Sequence, residues 1–113
     1  MIHVIVDQAT PQQLQDMLEV LRTYIKLAVD VRREVLAGGG EMHADCEAAL
    51  LDEGSRQEDV WGADWFPESQ TVRFQSLINI RPKQGNRTME LTDVPLRQRI
   101  ESIVKRQLRS TSQ

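Results

Sequence analysis

His43 stands two residues from each of Glu41 and Asp45 and four from Glu47, directly after the run Gly38-Gly39-Gly40. An imidazole among carboxylates can hold a divalent metal or serve as a general base oriented by a neighbouring acid. The spacing limits what one segment can do. On a helix Glu41 and Asp45 share a face, while His43 lies about 200° from each. One helix therefore cannot supply all three as ligands, and an acid-rich, solvent-facing helix start accounts for the same residues. An acid/base centre here would need His43 with Asp45, Asp59 or Asp64 drawn together by the fold. No pattern specifies a metal site or a cofactor. The lone Cys46, between Asp45 and Glu47, would have its thiol pushed up by negative neighbours, and it reads as a small core residue.

A second group suits ligand binding. Arg73, Asn79, Arg81, Asn86 and Arg87 offer guanidinium forks and amides beside the Gly85-Asn86 loop, as a phosphate or carboxylate would require. Trp61 adds aromatic area, and Asp59 and Asp64 flank it. Each residue also has a structural reading. The arginines can satisfy the acidic stretch before them, and Trp61 and Trp65, four apart on a strand, can cap the core. His3, isolated on a strand, reads as structural. Gly38-Gly39-Gly40 lacks both the Lys-Ser/Thr ending of a P-loop and the spacing of a dinucleotide fingerprint.

Charge is unevenly distributed over the 113 residues. Residues 41–68 carry nine acidic groups against Arg56 alone, a net of −8, whereas residues 69–113 net +6. Such segments can face each other within the fold, pair between copies, or present separate surfaces. A total of −3 and a pI near 5.4 argue against general nucleic-acid affinity. Forty per cent hydrophobic and 27% charged residues, with a mean hydropathy of −0.44, are the proportions of a globular domain. No apolar run approaches the roughly 20 residues of a membrane span. The opening Met1-Ile2-His3-Val4-Ile5-Val6-Asp7 lacks a basic, signal-like start, so a cytoplasmic location is expected. One cysteine excludes an internal disulfide framework.

The elements that must position these groups follow from local chemistry. Thr10-Pro11-Gln12-Gln13 is a capping box with proline at the first helical position, and it predicts a helix over 11–23. For 25–37 a hairpin, with strands at 25–31 and 34–38, competes with a continuation of that helix. The β-branched density of Tyr24 to Val31 favours the hairpin. A helix is expected over 42–53, stopped by Gly54, with a strand as the alternative. Strands are expected at 2–6, 59–66, 71–81 and 87–91, with a possible bulge where Ser76-Leu77 breaks the alternation. A basic amphipathic helix spans 94–109, and 110–113 reads as a frayed tail.

Two blocks carry a resemblance. They are Gly39-Gly40-Glu41-Met42-His43-Ala44-Asp45 continuing to Gly54-Ser55-Arg56-Gln57-Glu58-Asp59-Val60-Trp61-Gly62, and Ser76-Leu77-Ile78-Asn79-Ile80-Arg81-Pro82 continuing to Gly85-Asn86-Arg87. With them nearly the whole chain resembles a family of small bacterial proteins described only as a domain of unknown function. The resemblance implies one domain and carries no activity, cofactor or site residue.

The expected fold is a single α+β domain over 1–113, a mainly antiparallel sheet with about three helices packed on one face. The leading functional expectation is a non-enzymatic interaction or small-ligand-binding module, self-associating as a homodimer through segments 41–68 and 69–113. A small anionic ligand suits it, and neither a membrane nor nucleic acid does. The alternative is a small metal-dependent or acid/base, hydrolase-like enzyme centred on His43, with Arg81 or Arg87 as anion clamp.

Overall fold

Along Ile25–Asp30 large apolar side chains alternate with Lys26, Ala28 and Asp30, and that alternation organises the molecule. The computed structural model describes residues 1–109. The order is β1 (His3–Ile5), α1 (Pro11–Leu18), β2 (Ile25–Asp30), β3 (Val35–Gly38), α2 (His43–Asp52), β4 (Val60–Phe66), β5 (Thr71–Arg73) and α3 (Val94–Leu108). Short 3₁₀ turns occupy Gln57–Asp59, Leu77–Asn79 and Pro82–Gln84. The strands form one antiparallel sheet in the order β1-β3-β2-β4-β5, so the domain is of the α+β class. The tail expected at 110–113 lies outside the described residues.

Ile25, Leu27 and Val29 join Leu36, Trp61, Ala63 and Trp65 on one face of the sheet. Met17 of α1 and Ile100, Ile103, Val104 and Leu108 of α3 cover them. Ala28, Val35, Ala37 and Val60 occupy the opposite face, under Cys46 and Leu50 of α2. The expected packing of all helices on one face is thereby corrected. The central strands β2 and β3 are apolar on both sides, and only a second layer can keep water from the Ala28–Val35–Ala37 side.

The capping box forms as expected. Thr10 Oγ1 accepts from Gln13 N at 3.1 Å, and Gln13 Oε1 accepts from Thr10 N at 2.9 Å. The helix ends at Leu18 rather than 23, because the chain reverses through Arg22, whose φ of 73° is left-handed without a glycine to announce it. The hairpin is present, and Asp30 Oδ1 builds its turn by accepting from the amides of Arg32 and Arg33, each at 2.9 Å. The strand expected over 71–81 stops at Arg73, and the return strand at 87–91 is reduced to one bridge between Gln75 and Glu90. Ser76 turns the chain there: its hydroxyl accepts from Ile78 N at 3.2 Å, which draws the backbone into a 3₁₀ turn.

Candidate functional site

The segment from Gln75 to Met89 is attached to the sheet by side chains instead of a strand ladder. Beyond Asp64 the edge of β4 lies open, since β5 pairs only with Asp64 to Phe66. Asn79 closes it: Gly62 N donates to Asn79 Oδ1 at 2.8 Å, and Asn79 Nδ2 donates to Gly62 O at 3.0 Å. Gly62 is required, because an added Cβ would lie 2.6 Å from Ser76 Cβ. Arg81 continues the seal. Its Nη2 donates to Val60 O and to Glu47 Oε2, Nη1 to Gln57 O and Gln84 Oε1, and Nε to Ile78 O. Its carbon Cζ sits 4.6 Å over the Trp61 ring. Burial draws this guanidinium below its usual value, an effect that the Glu47 carboxylate opposes. Asn86 holds the following loop by donating to the carbonyls of Asn79, Thr88 and Glu90 and accepting from Thr92 N and Oγ1.

Pinned in this way, the segment leaves two recesses against α2, which meet at Leu77 and Ile78. The smaller, of about 280 Å³, has Lys26, His43 and Asp64 among its walls, together with Met42, Gln75 and Met89. His43 opens α2 and turns back to the sheet, where its Nε2 lies 2.7 Å from Asp64 Oδ1 and 3.2 Å from Ala63 O. Two oxygens on one nitrogen make Nε2 the donor, so Nδ1 carries the lone pair of the neutral ring. Lys26 stands directly opposite Asp64 across β2 and β4, yet its Nζ donates to Glu41 O at 3.0 Å. No side chain caps the first amides of α2, because Met42 occupies the cap position.

The larger recess, of about 610 Å³, runs between α2 and the 77–84 segment, with Glu47, Leu77, Ile80, Pro82 and Lys83 among its walls. The rims of the two recesses are apolar and open. Leu77 is 65% exposed, Met42 52%, Ile80 42% and Met89 38%. Along α2 the exposed Ala44, Ala48 and Leu51 form one stripe at helical spacing beside them.

The structure unites only part of the group expected to do chemistry. His43 and Asp64 meet. Asp45 is exposed on α2 and forms no side-chain bond to His43, and Asp59 lies with Arg32 at 3.1 Å. Among the described residues no cluster of three His, Cys, Asp or Glu is arranged to hold a metal ion. Trp61 and Trp65 are both core residues. Asn79, Arg81 and Asn86, expected to bind a ligand, are spent on the chain itself: all five N–H groups of Arg81 have acceptors, and none remains for an anion. Arg87 is exposed and lines neither recess. Arg73 rests on the Phe66 ring. His3 lies 3.3 Å from Asp16, a structural neighbour. Cys46 is buried, and burial is the main cause that raises its thiol, with Asp45 adding to it.

Sequence reasoning missed Lys26, Met42, Leu77, Ile80 and Met89. One signal was available, a lysine alternating with the large apolar residues of a central strand. The apolar four had none, because exposed and core residues share a type.

The acidic and basic segments meet in one direct ion pair among the described residues, Glu47 with Arg81 at 3.2 Å. Otherwise Arg33 serves Glu53, Arg32 serves Asp59, and Glu34 takes both Arg99 and Arg106 of α3. No helix among the described residues is long and apolar enough to cross a membrane.

A family model described as a protein of unknown function, DUF5674, matches residues 3–107, and the chain belongs to that family. No curated protein and no solved structure matches it.

Proposed function

We propose that this member of the DUF5674 family is a binding module whose α2 face docks an amphipathic helix of another protein. One observation carries the reading: Leu77, Met42, Ile80 and Met89, all exposed, converge on two adjoining recesses. A contiguous apolar surface rimmed by polar groups is how proteins present a partner site. The groove between α2 and the 77–84 segment has the form that receives a helix, with Ala44 and Ala48 allowing close approach. Glu41, Asp45 and Asp52, on α2 or just before it, are exposed, so charge favours a basic flank on the partner.

Self-association by complementary charge is less well supported. The acids of α2 and the basic groups of α3 lie on opposite faces of the sheet, and a two-fold axis brings like faces together. The alternative of an acid/base enzyme is less well supported, since Arg81 is fully engaged and Arg87, the other clamp candidate, lines neither recess.

A photo-crosslinker placed at Ala48 tests the reading. A discrete adduct should form in lysate, weaken with added salt, and vanish with Ile80→Asp, whereas a crosslinker at exposed Gln98 on α3 should trap nothing comparable. Equal adducts from both positions, or none from Ala48, would refute it.

A further inference from the structure

The Lys26–Asp64 arrangement is unusual for directly opposed charges on neighbouring antiparallel strands. Side chains in that register lie about 4.5–5.5 Å apart at Cβ, close enough to pair. Here they do not pair. Lys26 Nζ is drawn to the carbonyl of Glu41 at 3.0 Å, and Asp64 Oδ1 is drawn to His43 Nε2 at 2.7 Å. Both diversions are made by the residues that begin α2. The result is an ammonium with two uncommitted N–H groups and a carboxylate whose Oδ2 has no partner among the described residues. They are held apart at the wall of a recess whose other side is Met42, Leu77 and Met89.

We propose that this recess binds a small amphipathic zwitterion of the hydrophobic α-amino-acid class. The ligand's carboxylate lies on Lys26 Nζ, its ammonium on Asp64 Oδ2, and its side chain against Met42, Leu77 and Met89. His43 is a positioning residue, which fixes Asp64 through Nε2. A separated cation and anion flanked by apolar surface match the three parts of such a ligand, whereas a simple anion would meet Asp64 and a simple cation would meet Lys26. About 280 Å³ is room for one molecule of that size and not for a peptide segment. The site adjoins the proposed docking surface and shares Met42, Leu77 and Met89 with it, whereas Ile80 lines the larger recess and not this one.

Isothermal titration of the intact chain with L-leucine, leucine methyl ester and N-acetyl-leucine tests the assignment. The ester lacks the carboxylate and the acetyl derivative lacks the ammonium. Leucine should bind, and each derivative should bind about tenfold or more weakly, since each leaves one charge of the site unanswered. Lys26→Met should remove the preference for leucine over its ester. Asp64→Asn, which keeps an acceptor for His43 Nε2, should remove the preference over the acetyl derivative. Unchanged near-ultraviolet circular dichroism would show that both variants are folded. Equal binding of all three compounds, binding of N-acetyl-leucine alone, or no heat from leucine at about 10 mM would overturn the proposal. Ile80→Asp should leave leucine binding unchanged, so failure of the docking reading and failure of this one are distinguishable.

Discussion

Replacing Asn79 by alanine should unseat the whole site-bearing segment, and the size of the effect can be worked out from its bonds. The side chain supplies an acceptor to Gly62 N at 2.8 Å and a donor to Gly62 O at 3.0 Å, both buried. Its contact with Phe74 O, at 3.4 Å, adds little. Truncation leaves a buried N–H and a buried C=O of β4 without partners, at about 1–3 kcal/mol each, so a loss of roughly 3 kcal/mol follows. For a domain of this size that lowers Tm by about 12 °C. Urea unfolding followed by the fluorescence of the buried Trp61 and Trp65 measures it directly, and an unchanged m-value would show that only stability moved. Gly62 N–H should also lose its protection from hydrogen exchange. A loss below about 1 kcal/mol, with Gly62 still protected, would refute the view that one amide stands in for a strand.

Other outcomes follow from the same structure. Arg81→Lys should destabilise by about 2 kcal/mol in urea unfolding, because an ammonium cannot reach five acceptors at once. The double change Glu47→Leu with Arg81→Met should recover part of that, since a largely buried pair is replaced by packing. Cys46 should resist a thiol reagent at pH 8 until the chain unfolds. Because folding raises its thiol above the ordinary 9.0, the folded state holds that proton more tightly. Its contribution is therefore complete below pH 9.0 and lost as pH rises through the folded value, so Cys46→Ala should flatten the alkaline arm of the stability profile. Gly39→Ala should cost about 2 kcal/mol or more in the same assay, because φ is +103° and an added Cβ would meet the carbonyl of Met1.

Much of the fold was legible, because its signals are local. The Thr10–Gln13 box, the β-branched density around Val29 and the stripe Leu96–Ile100–Ile103 each settle an element without reference to the rest. The misreadings share a cause. Arg22 and Ser76 redirect the chain through a left-handed φ and a hydroxyl-built turn, neither of which alters hydrophobic periodicity. The site was half legible. His43 and Asp64 were both singled out, but 21 residues separate them, and only the sheet brings them to 2.7 Å. Asn79, Arg81 and Asn86 misled because a residue rich in donors looks the same in sequence whether its partner is a ligand or the backbone.

The edge of β4 has one further consequence. Because Asn79 and Arg81 saturate Gly62 and Val60, no foreign strand can zip onto that part of the sheet. The outermost strands, β1 and β5, offer three residues each, too short a template for end-to-end growth. Stickiness and templating thus reside in different parts of the domain: Leu77, Met42 and Met89 are exposed where no free strand edge lies beside them.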